Sequence, residues 1–415
     1  MMPLAGPHYA AEAMTTADRI ADALATPPPP DPGDDYSPSS PRWRHQSLSK
    51  GAAGIALLHA VRAHAGLAGW ERVDAWLECA TREEINACDR AGLWFGSPSL
   101  AFAVAATAPS GRYRSALRTL DASVAMIVKA RLAAARARMA AVERPTRDEF
   151  DLVRGMTGLG AHLLRRDPNG PLVRDVLAYL VELTQPLSVW NGLPGWWTID
   201  IPPGRPPADF RGGFADHGMA HGIAGPLALL ATSMRRGITV EGHTEAIERI
   251  CDWLDHWWQE SPAGPWWPER VNIHEHLDGR PARPGPARPS WCYGTPGIAR
   301  ALQLASIATG DHARQQRAEL ALAACLSDPA QLARIRDPAL CHGWAGMLAT
   351  VWHASADDST GQLVTHLPGL LSTLLHHADQ AEHDGLIEGR AGIALLLHTM
   401  TARTSTCWEP CLLIT

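Results

Sequence analysis

Apolar residues recur at helical spacing, with charges on the opposite face, over 10–25, 71–89, 113–142, 172–185, 244–258, 311–327 and 361–378. Between them lies a second kind of segment, nearly all apolar, rich in Ala and Gly, and opened each time by a glycine. The copies begin at Gly51 (GAAGIALLHA), Gly96 (GSPSLAFAVAA), Gly155 (GMTGLGAHLL), Gly222 (GIAGPLALLA), Gly294 (GTPGIARALQLA), Gly343 (GWAGMLATVW) and Gly389 (GRAGIALLLHT). The first kind predicts helices with one wet face, the second helices packed on both sides. Successive copies are 45, 59, 67, 72, 49 and 46 residues apart, the spacing of helix-pair repeats with insertions. Seven outer and seven inner helices, with a glycine turn at the same end of every inner one, predict an all-α fold, an (α/α)7 toroid whose turns gather at one mouth. The second copy has Ser99 where the others place their second glycine.

Proline and glycine mark the breaks. PPPPDPGDDYSPSSP (27–41) cannot be helical and links the first outer helix to the first inner one. The segments 190–218 and 257–291 are long and rich in Trp and Pro, and they account for the two widest spacings. Loops of that length usually carry function. Their tryptophans suit a peptide substrate if exposed at the mouth, and equally suit padding on the outside. Because the repeat runs from about residue 10 to the end, the 415 residues read as one domain, 1–415, with these loops as insertions.

Composition narrows the function. The net charge is −6 and no basic stripe is interleaved with aromatics, so no nucleic-acid partner is expected. No apolar run reaches the ~18–20 residues that span a bilayer, and MMPLAGPHYAAEAM lacks the build of a signal peptide. This predicts a cytoplasmic protein without a transmembrane segment. Eight cysteines in a chain of this size do not make a disulfide framework. Cys79, Cys88, Cys251 and Cys325 fall in outer-helix patterns, where plain burial is expected. Cys407 and Cys411 form a thiol pair with no further ligand in sight.

Three of the glycine turns carry chemistry: Ala220-His221-Gly222, Trp291-Cys292-Tyr293-Gly294 and Cys341-His342-Gly343. One repeated device would bring His221, Cys292, Cys341 and His342 together at the mouth. Cys292, Cys341 and His342 make three zinc ligands from adjacent repeats, and no fourth is evident, the pattern of a catalytic zinc with one open position. Zinc bearing two thiolates is electron-rich, poor at activating water and well suited to holding a third thiolate.

The segments DLVRGMTGLGAHLL, MAHGIAGPLALL, SWCYGTPGIARAL, LCHGWAGMLAT and GLIEGRAGIALLL resemble the lanthionine synthetase C family, the LanC cyclases of lantibiotic biosynthesis, over nearly the whole chain. The resemblance implies one zinc per chain and the addition of a cysteine thiol to dehydroalanine or dehydrobutyrine in a dehydrated precursor peptide, closing a (methyl)lanthionine ring. Carried over by motif, the zinc ligands are Cys292, Cys341 and His342. The catalytic groups are His221, Asp151 and Arg288, and Trp291 and Tyr293 flank the ligand on the substrate side. Thiol addition generates an enolate, which needs a cation or hydrogen-bond donor and then a proton at its α-carbon. His221 fits the acid or base, Asp151 its orienter, and Arg288 or His221 the enolate partner. No dehydratase-like region accompanies the repeats, so a separate dehydratase and a transporter of a lanthipeptide pathway are the expected partners, with peripheral docking on a membrane-bound complex left open.

Other readings use the same residues. Glutathione could supply the thiol, in a binding or glutathione-adding protein. A zinc prenyltransferase-like toroid would need a basic diphosphate pocket and an Asp-Cys-His ligand set, neither of which is apparent. A glycosidase toroid would need paired carboxylates, for which only Asp151 and Glu388 sit near the turns.

Overall fold

The computed structural model describes residues 7–29, 45–202, 206–402 and 408–415. Most of the linker 27–41, part of the loop 190–218, and Cys407 lie outside them. Among the described residues the chain forms seventeen α-helices, and fourteen coincide with the expected stretches. The outer helices are Pro7–Ala23, Trp70–Ala80, Arg114–Ala140, Pro171–Leu183, His243–His256, His312–Ser327 and Leu367–His377. The inner ones are Ala52–His64, Ser97–Ala105, Met156–Arg166, Ala224–Arg235, Thr295–Thr309, Trp344–Asp357 and Arg390–Ala402. Arg147–Phe150, Ile273–Asp278 and Pro329–Leu332 are short additions.

The chain divides into two compact units, each discontinuous in sequence. One holds Met1–Ile127, Arg336–Trp352 and Thr365–Cys411, the other Val128–Ile335, His353–Val364 and Leu412–Thr415. In the first, Ala52–His64 packs on Trp70–Ala80, Ser97–Ala105 and Arg390–Ala402, and the last of these packs on Pro7–Ala23. In the second, Ala224–Arg235 packs on Met156–Arg166, His243–His256 and Thr295–Thr309. The inner helices are buried almost all round, as their composition requires.

Neighbouring glycine turns are stitched together by main-chain hydrogen bonds. In the second unit Leu152 N donates to Ala220 O (3.1 Å) and Ala220 N to Cys292 O (3.3 Å); in the first, Cys341 N donates to Ile387 O (2.7 Å) and Leu386 N to Leu48 O (3.3 Å). Inner helices that start in non-helical turns leave main-chain groups unpaired. The stitching satisfies some of them and fixes where each turn's side chains point. Where the second glycine is missing, buried Ser99 donates its hydroxyl to Gln46 O, so the altered repeat keeps its register through a different bond.

Two expectations need correction, and two open points are settled. The outer helix expected over 71–89 stops at Ala80, because the polar run from Thr81 to Arg90 offers no apolar face, and Cys88 is exposed rather than buried. The loop tryptophans are mostly core: Trp196, Trp197, Trp257, Trp266, Trp267 and Trp291 are buried, and Trp190 is exposed. The long loops also pair with each other, Phe214–Asp216 running antiparallel to Arg270–Asn272.

Candidate functional site

The Cys292 turn is built for close approach. Gly294 takes φ +92°, a left-handed conformation that costs a side-chained residue strain. A Cβ on Gly297 or Gly346 would collide with the carbonyl of Trp291 or Leu340, the residues just before Cys292 and Cys341. On Gly225 it would press on Met219 O at 2.7 Å, one step before the Ala-His-Gly turn. The second glycine of these three motifs therefore lets the turn that carries His221, Cys292 or Cys341 lie against the first turn of its own helix. This is the physical content of the G-x-x-G spacing at the site.

Cys292 opens its inner helix in the second unit, and Cys341 and His342 open theirs in the first. Two thiols and one imidazole are donor types that suit a zinc ion. Cys292 is buried, with the Ser290 hydroxyl 3.4 Å from its sulfur, while Cys341 and His342 are half-buried. Asp337 Oδ2 lies 3.7 Å from His342 Nε2, and the same residue's carbonyl accepts from Trp344 N (3.0 Å), tying the carboxylate to the Cys-His-Gly turn. Cysteines elsewhere have a different character. Burial pushes the Cys251 and Cys325 thiols up to about 12, which keeps them protonated and inert.

His221 and Asp151 meet. The imidazole Nδ1 donates to Asp151 Oδ2 at 2.6 Å, and Asp151 Oδ1 accepts from Arg154 N (2.6 Å) and Gly155 N (2.8 Å) at the start of Met156–Arg166. Asp151 is fully buried, and the His221 side chain is 33% exposed. Burial works against a charged His221, but the bond to Asp151 and the negative charges of Asp151 and Asp216 outweigh it, so its pKa lies above the ordinary value. With Nδ1 committed, Nε2 is the nitrogen that faces outward.

Beside this pair stands a second buried carboxylate that the sequence did not assign. Asp216 accepts from Arg270 Nε (2.9 Å), the Tyr293 hydroxyl (2.9 Å) and Gly218 N (3.0 Å). The ribbon places it, since Asp216 and Arg270 are cross-strand partners. Burial alone would raise its pKa, but the guanidiniums of Arg270 and Arg147 and the Gly218 N–H hold it below the usual carboxylate range. Arg270 also stacks on the Tyr293 ring at 4.4 Å, and that ring lies 6.4 Å from the His221 imidazole. Burial and the Asp216 charge push the Tyr293 phenol well up, so it stays neutral with its proton directed to Asp216.

Arg288 is half-buried, and its Nε has no hydrogen-bond partner among the described residues. Trp291 is 1% exposed and donates its indole N–H to Leu412 O (3.0 Å), so its ring faces protein. Glu388 pairs with Lys50 (2.5 Å). His217 is buried, accepts from Trp253 Nε1 (2.9 Å) and donates from Nδ1 to Pro268 O (2.8 Å), and burial lowers its pKa to about 4. It is a neutral structural histidine.

Helical hairpins whose glycine turns carry Cys292, Cys341, His342 and a carboxylate-held imidazole define an all-helical protein with candidate metal-binding residues. The chain belongs to the lanthionine synthetase C-like family, whose profile, described as lanthionine synthetase C-like protein, matches residues 42–413. Among solved structures it is similar to one titled nisin cyclase, with a TM-score of 0.76 at 18% identity, covering 99% of this chain and 98% of that one. The shared fold is a helical toroid, as the repeat predicted. No curated protein matches. No helix among the described residues is long and apolar enough to cross a membrane.

Proposed function

We propose that this protein is a zinc-dependent peptide cyclase that joins cysteine thiols to dehydroalanine or dehydrobutyrine in a dehydrated precursor peptide. The observation that carries the reading is the pair of turns Trp291-Cys292-Tyr293-Gly294 and Cys341-His342-Gly343, which offer two thiols and one imidazole within the repeat of the family the chain belongs to. A zinc ion bound there would hold the substrate cysteine as its thiolate and keep it nucleophilic near neutral pH.

The rest of the chemistry falls to the chain's own side chains. Sulfur adds to the β-carbon, the C=C bond is consumed, and the α-carbon takes a proton in place of the one lost by the thiol, so mass is unchanged. His221, its pKa raised by the bond to Asp151, presents Nε2–H to the enolate or its α-carbon. Arg288, with an uncommitted Nε, is the cation for the enolate oxygen. Tyr293 directs its own proton to Asp216, so its oxygen can only accept, from a substrate amide or from Arg288. The family profile runs across both compact units, and we take 1–415 as one working domain. Its substrate would come from a dehydratase acting on Ser or Thr, and a pathway transporter would take the product.

The test supplies a precursor peptide already dehydrated at Ser or Thr. Wild type should remove titratable thiols at constant mass and give one ring pattern. Cys341→Ala should give only the slow, less selective background addition. Equal rates and ring patterns in the two reactions would show that the protein is not the cyclase.

A further inference from the structure

Residues 412–415 run through the interior beside the Cys292 turn. Leu412, Leu413 and Ile414 are 0%, 3% and 0% exposed. Two buried side chains from the same repeat reach this segment: Trp291 Nε1 donates to Leu412 O (3.0 Å), and Arg300 Nε to Ile414 O (2.8 Å). Leu413 between them takes φ +53°, a left-handed conformation costing roughly 1–2 kcal/mol for a side-chained residue, which persists only where its surroundings hold it. Thr232, on the inner helix that follows His221, donates to Thr415 O at 3.4 Å. Arg300 is itself fixed by Asp357 (2.9 Å). The segment thus bridges the inner helices behind His221 and Cys292, and it grips the residue immediately before the buried ligand.

We propose that Leu412–Thr415 is a positioning strap, which holds the Trp291-Cys292 turn in place so that the protein's zinc affinity depends on it. Trp291 then acts from behind the ligand, through the backbone of Cys292. Without its tether the turn would still have Gly294 and the Ser290 bonds to hold it, but the sulfur would have to be drawn into place at the moment of binding. This inference rests on the zinc reading above.

Zinc affinity, measured by chelator competition on folded protein, tests it. Trp291→Phe keeps an aromatic side chain and removes the donor, and should weaken zinc binding roughly five- to tenfold, the worth of about one buried hydrogen bond. Arg300→Lys should weaken it in the same direction, and deletion of 412–415 more than either. Trp253→Phe also removes an indole N–H bond in this unit, to His217, and should leave the affinity unchanged. Should the deletion fail to fold, Trp291→Phe decides alone. Wild-type affinity in folded Trp291→Phe and Arg300→Lys would overturn the strap. Absence of zinc binding in the wild type would instead overturn the metal assignment itself.

Discussion

His217 and His221 are four residues apart and opposite in character. One is buried between an indole donor and a main-chain acceptor, with its pKa lowered to about 4; the other is held by Asp151 with its pKa raised. Only the second can serve as an acid near neutral pH. His221→Asn should slow ring closure by ~10²–10⁴, typical for a general acid or base, with zinc content unchanged. Loss of zinc in that variant would make His221 a ligand instead. The sign of the pH dependence follows from the raised pKa: the cationic form is present below about 6.5 and is lost as pH rises through the higher folded value. Activity should therefore fall on the alkaline side of that value. Asp151→Asn removes the main raising influence, so the falling limb should move to lower pH; an unmoved limb would mean that another group sets it.

The glycine turn is the element that organises the site, and it was legible because its cause is local. A helical period and a leading glycine mark each inner helix, with a second glycine three residues on in six of the seven, and the candidate ligand types sit in the turn itself. Asp151 was reachable too, four residues before Gly155. The ribbon was not. Its strands are three residues long, too short for alternation to show, and they pair Asp216 with a residue 54 positions away. Asp337 was hidden for a similar reason, as a single carboxylate in a polar loop. The tryptophans left two readings open because Trp and Pro in long loops suit an exposed surface as well as padding, and these loops fold back and bury most of their indoles. The close approach at Gly346 makes a test at this scale. Gly346→Ala puts a Cβ into Leu340 O, and should cost about 1–3 kcal/mol in urea unfolding and weaken zinc binding through Cys341. An unchanged urea midpoint would mean that the turn has slack the structure does not show.

At the scale of the whole molecule, most of the stability resides in the buried apolar helices, and a set of buried histidines adds a pH dependence. His59, His162, His217 and His398 are 0–1% exposed, and burial lowers their pKa values to about 4, 3, 4 and 4. A depressed folded pKa gives stability that is complete above the unfolded value of about 6.5 and is lost as pH falls toward the folded value. The melting temperature should accordingly decline between pH 6.5 and 4, before most carboxylates titrate; a flat profile over that range would show these histidines to be hydrated or repartnered. None of this depends on the metal, because the helices pack through apolar faces. The central claim, that Cys292, Cys341 and His342 together hold one zinc ion, is tested most directly by the metal content of the purified protein. Wild type should carry close to one zinc per chain. The double variant Cys292→Ala plus Cys341→Ala should carry almost none while keeping its helical circular dichroism, and full zinc retention in that folded variant would contradict the account.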